Sequence, residues 1–105
     1  MIFLLDEHEF PNNYKNVVFY FYASWMPFHK KMLTMIDKME NKYNNLTFYA
    51  IDVDNLKKIT KRFNIDSVPT VLIIIDGKEE KRINGLIMTS AFKSVFVDIY
   101  NLVNH

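Results

Sequence analysis

Apolar residues along the chain fall into two patterns: short runs in which nearly every position is apolar, and longer stretches in which they recur at helical spacing. Val17 to Tyr22 is entirely β-branched or aromatic, the composition of a strand buried on both faces, and it predicts a central strand. Thr70 to Ile75 is a second such run, mostly β-branched, and predicts another interior strand. Leu46 to Val53 reads as a further strand, and the apolar opening Met1 to Leu5 as a short one. After Trp25 the period changes. Phe28, Met32, Met35, Ile36, Met39 and Tyr43 recur with Lys30, Lys31, Asp37, Lys38 and Glu40 largely between them, which predicts an amphipathic helix. Pro27 suits its first turn, where the missing N–H costs nothing, and Asn44 and Asn45 end it.

Glu7 to Lys15, interrupted by Pro11, predicts a broken helix or loop. Asp54 is placed to cap a short helix running through Phe63, with Leu56, Ile59 and Phe63 on its inner face. Asn64 to Pro69 follows as a loop. Asp76-Gly77 is a strong hairpin signal, joining the second interior strand to an antiparallel partner from Lys78 to about Ile83. Ser90 is placed to cap the last helix, whose buried stripe would be Phe92, Val95, Phe96, Ile99, Leu102 and Val103. Strands separated by helices require right-handed parallel crossovers, and the hairpin adds antiparallel strands. The expected architecture is therefore α/β, a mixed central β-sheet with helices on both faces, in a single domain over residues 1–105.

Composition narrows the function. At 50% hydrophobic and 15% aromatic the chain can bury one substantial core. A formal net charge of +1 leaves no broad field for nucleic acid or an anionic membrane, and neither is expected as a partner. The sequence contains no cysteine, which excludes a disulfide, a thiolate nucleophile, a Cys-ligated zinc and any dithiol cycle within this chain. The start, Met1 to Leu5 followed by Asp6 and Glu7, lacks the basic residues and the roughly 7–15-residue apolar core of a signal peptide. The expectation is a soluble, cytoplasmic domain, unless the chain is trimmed from a longer precursor.

Several landmarks, in order and at compatible spacing, resemble the thioredoxin family over nearly the whole chain. Phe19-Tyr20-Phe21-Tyr22-Ala23-Ser24-Trp25 is similar to the family's apolar strand running into Ala-x-Trp. Asp52-Val53-Asp54 is similar to its strand-ending acidic segment. Phe63-Asn64-Ile65-Asp66-Ser67-Val68-Pro69-Thr70 is similar to its stretch ending in Val/Ile-Pro-Thr, followed by an apolar strand, Asp76-Gly77 and Gly85. The resemblance implies the thioredoxin fold, with Pro69 in the cis form and the backbone of Val68 exposed to pair with an extended segment. Such β-augmentation needs no sulfur.

The departures bear on activity. Where the family has Trp-Cys-Gly-Pro-Cys-Lys, this sequence has Trp25-Met26-Pro27-Phe28-His29-Lys30, so Met26 and His29 occupy the two cysteine positions. The family's buried Asp and its supporting Lys correspond, by the same register, to Tyr20 and Ala50. Both thiols and both supporting charges of disulfide exchange are missing. No residue is assigned a catalytic role. The resemblance implies a redox-inactive domain that binds an extended peptide or a protein partner, with no cofactor, at a groove bounded by Trp25, Met26, Phe28, His29, Val68, Pro69 and Gly85.

Alternative uses of these residues are weaker. Met26 and His29, a thioether and an imidazole on one turn, suggest a soft-metal or redox sensor, but two ligands are thin and nothing in the sequence brings His8 to them; no metal site is assigned. His29 as a general base has no visible orienting partner, and Tyr20 reads as core with a local partner for its hydroxyl. An accessory oxidoreductase acting with another chain's cysteines is a further alternative, and a weak homodimer is left open. The basic stretches Lys57-Lys58 with Lys61-Arg62, and Lys78 to Arg82, read as solvated faces.

Overall fold

In the computed structural model, which describes residues 1–103, five strands form one sheet in the order β1-β3-β2-β4-β5. They are β1 (Ile2–Phe3), β2 (Val17–Tyr22), β3 (Thr47–Asp52), β4 (Thr70–Ile75) and β5 (Lys78–Asn84). Helices α1 (His29–Lys42), α2 (Lys57–Arg62) and α3 (Thr89–Val103) connect or follow them, and a single 3-10 turn, Glu7–Glu9, stands where the broken segment was expected. β1, β3 and β2 run parallel, and β2 pairs antiparallel with β4, as β4 does with β5. This is the mixed α/β sheet expected from the sequence.

The composition of β2 follows from its central place. Val18 and Tyr20 point into a core formed with α1 and α3, through Met32, Ile36, Phe92 and Phe96. Val17, Phe19 and Phe21 point the other way, against Leu4, Phe10, Leu56 and Ile59. With no water on either side, alternation with polar residues is lost. The Asp76-Gly77 turn has positive φ at both positions, 53° and 78°, the backbone a two-residue hairpin needs to match strand twist.

Several local expectations are corrected. α1 begins at His29 and not at Pro27: Phe28 adopts a left-handed conformation with φ 67°, which no α-helical turn can contain. Asp54 does not cap α2. The position before the helix is Leu56, which has no side-chain capping bond, and the cap comes from a distant carboxylate: Glu7 accepts from the backbone N–H of Lys58 at 2.9 Å and of Ile59 at 3.1 Å. Such a charge-assisted pair satisfies donors that a local Asp would otherwise have taken. Asn64, left-handed at φ 54°, ends α2 and turns the chain toward Pro69. α3 starts at Thr89, so Ser90 lies inside its first turn, and Leu102 is exposed while Phe92, Phe96 and Ile99 are buried. Among the described residues no helix is long and apolar enough to cross a membrane.

Candidate functional site

The C-terminal ends of β2 and β3, the turn leading into α1, and the loop before β4 lie together at one end of the sheet. Tyr22 and Asp52 are register partners at the ends of their strands. The Val68–Pro69 peptide bond is cis, and the Pro69 carbonyl accepts from the N–H of Gly85 at 2.7 Å. Thr70 holds the same loop by donating its hydroxyl to the Ser67 carbonyl at 2.8 Å. The backbone N–H and carbonyl of Val68 take part in none of the hydrogen bonds among the described residues.

Trp25 is 71% exposed and its indole N–H donates to Asp54 Oδ2 at 2.9 Å. Asp54 is itself set by its backbone N–H donating to Asp52 Oδ1. The ring therefore stands at a fixed orientation on the surface. Beside it an open groove of about 440 Å³ is lined by Trp25, Val53, Thr60, Ile65, Asp66, Ser67 and Val68. Of the expected groove residues, Trp25 and Val68 line this groove, whereas Phe28, His29, Pro69 and Gly85 are not among its lining residues; Gly85 is instead bonded to Pro69. Met26 is not part of the surface: it is 6% exposed and belongs to the larger core. A metal reading that needs its sulfur beside His29 at the surface loses that ligand. Val53, Thr60, Ile65, Asp66 and Ser67 line it without having been expected to, although the Asp52-Val53-Asp54 motif already pointed to one of them.

Tyr20 and His29 are a hydrogen-bonded pair. The fully buried Tyr20 hydroxyl lies 2.9 Å from His29 Nδ1, and the imidazole stacks on Tyr22 with ring centres 4.5 Å apart and on Tyr20 at 5.9 Å. Burial, and secondarily Tyr22, raises the Tyr20 pKa, so the phenol keeps its proton and can donate to an unprotonated Nδ1. Burial also lowers the His29 pKa, opposed by Asp52. The neutral imidazole accepting at Nδ1 carries its proton on Nε2. The hydroxyl partner expected for Tyr20 is thus His29, which itself has the orienting partner that was not visible in the sequence.

This pair gives stability a pH dependence. The unfolded chain takes up a proton at His29 near pH 6.5, whereas the folded chain resists it to lower pH. Between those values the unfolded state binds more protons, so stability falls as pH falls and levels off below the folded-state pKa. In paired denaturant titrations across this window, His29→Gln should lack the part of the slope that belongs to this residue; equal slopes would show that the imidazole is not desolvated.

Phe28 is left-handed yet 59% exposed, an unfavourable conformation that buries little apolar area in return. Phe28→Gly should stabilise the fold by about 0.5 to 1 kcal/mol, the relief of strain exceeding the added backbone entropy of glycine. A lower urea midpoint would show that the ring contributes packing that its exposure does not suggest.

The thioredoxin family model matches residues 4–98. The chain belongs to the thioredoxin family. It is 35% identical to Thioredoxin-1 of Saccharomyces cerevisiae over 71 residues, spanning 68% of this chain and 69% of that protein. It is 32% identical to a thioredoxin of Borreliella burgdorferi over 82 residues, 76% of this chain and 69% of the relative. The solved structure of oxidized thioredoxin O2 from Arabidopsis thaliana superposes with a TM-score of 0.85 at 28% identity, covering 94% of this chain and 93% of that one. Within this family frame the chain is a thioredoxin-like domain without cysteine. Tyr20 and His29 bond to each other within it.

Proposed function

We propose that this domain is a redox-inactive binding module that takes an extended polypeptide segment in the groove between Trp25 and Val68. The observation that carries the reading is the unengaged backbone of Val68 beside an exposed indole of fixed orientation. An extended segment pairing there gains main-chain hydrogen bonds, while the apolar groove receives one of its side chains. Burial of an aromatic anchor supplies much of the affinity in such contacts. Met26 and His29 offer no thiolate to attack a disulfide, so binding and release need no covalent intermediate.

Two measurements test this. In dithiothreitol-driven insulin reduction, turbidity should rise no faster with the protein than without it; acceleration would overturn redox inactivity. Selection from a random, cysteine-free peptide library displayed on phage should enrich peptides whose binding is indifferent to reductant and lost in Trp25→Ala. Enrichment of nothing above background, or of peptides that bind Trp25→Ala equally well, would overturn the groove as the binding site.

A further inference from the structure

The groove beside Trp25 does not end at Ile65. A second hollow, of about 510 Å³, adjoins it and shares Val53, Thr60, Ile65 and Asp66 with it, then continues over α2 to Lys57, Lys61 and Asn64. The two form one trough running from Val68 across Val53, Thr60, Ile65 and Asp66 to a pair of lysines.

The cations of α2 divide between two surroundings. Lys58 and Arg62 line a hollow on the side of the 3-10 turn together with Asp6 and Glu7, and Arg62 also lies over the rings of Phe10 and Phe63. Lys57 and Lys61, one helical turn apart, line the trough instead. Neither is in an ion pair among the described residues. Like charges at this spacing repel, although Lys61 is also favoured by its place in the last turn of α2. Asp66 is the acidic residue of the lining, and it also lies near the Arg82 guanidinium, whose proton it helps to hold.

Resting on the peptide-binding reading, we infer that the partner segment is acidic: it pairs with Val68, lays an apolar side chain against Trp25, Val53 and Ile65, and places a carboxylate at Lys57 and Lys61. Charge complementarity of this kind fixes the direction in which the segment lies and speeds its encounter. The interaction is solvent-exposed and weakens as salt rises.

The test uses the peptides selected from the random cysteine-free library, with affinities measured by fluorescence anisotropy. The expected result is enrichment of Asp or Glu at a fixed distance from an apolar residue, with affinity that falls between low and high salt. Lys57→Glu combined with Lys61→Glu should weaken these peptides about tenfold or more, whereas Lys58→Glu should leave them near the wild-type value; circular dichroism and thermal unfolding check that both variants fold. Peptides that need Trp25 but show no acidic preference, and bind the double variant as tightly, would overturn the acidic partner and leave the groove standing. Absence of any Trp25-dependent peptide would overturn both.

Discussion

Tyr20→Asp, which restores the residue type that the family carries at this position, is expected to destabilise this protein by about 4 kcal/mol or more. Tyr20 is fully buried in the larger core, and truncating a large aromatic there leaves a cavity. The new carboxylate would face Ala50, its buried and uncharged register partner, with an imidazole whose charged form burial disfavours as the nearest base. The substitution also removes the donor to His29 Nδ1 and one ring of the stack. Tyr20→Phe keeps the ring and the volume, and should cost only about 1 to 2 kcal/mol, the loss of one hydrogen bond that leaves His29 Nδ1 without its donor. Urea denaturation of the three proteins separates these outcomes. A cost below about 1 kcal/mol for Tyr20→Asp would mean that the site accommodates an acid and that the Tyr20–His29 pair contributes little to stability.

Trp25→Ala should reduce affinity for selected peptides by about 30-fold, corresponding to the roughly 2 kcal/mol typical of an aromatic anchor. Its effect on stability should be smaller, on the order of 1 kcal/mol or less, because the ring is largely exposed and its hydrogen bond to Asp54 lies at the surface. Trp25→Phe is expected to fall between wild type and Ala: it retains an apolar face but loses the N–H that fixes the ring on Asp54. Isothermal titration with one selected peptide, beside thermal unfolding of the free proteins, reads both quantities. Equal losses of affinity and stability would point to collapse of the loop, and unchanged affinity would place the contact elsewhere.

Most of the sheet was legible in the sequence because its strands are defined by what they exclude. β2 and β4 are buried on both faces, so charged residues are absent from them and the runs announce themselves. The hairpin was equally plain, since Asp76-Gly77 supplies the positive φ that the turn requires. Trp25 and Val68, which stand in the family motifs, line the same groove. Misreadings fell at helix ends and at the site. Glu7 caps α2 from the far end of the chain, so a local search found Asp54 instead, which serves the indole. Phe28 carries no sequence mark of its left-handed backbone, because such strain is imposed by the surrounding turn.

Fold, family and the absence of any thiol can be read from the chain alone, because hydrophobic period, turn chemistry and residue identity are local properties. Packing sets the rest: Met26 withdraws into the core, Tyr20 and His29 bond to each other, and Lys57 and Lys61 face a trough while Lys58 and Arg62 face an acidic turn. Those outcomes depend on contacts between segments distant in sequence. Burial, desolvation and charge pairing are set by such contacts, and no residue carries them alone.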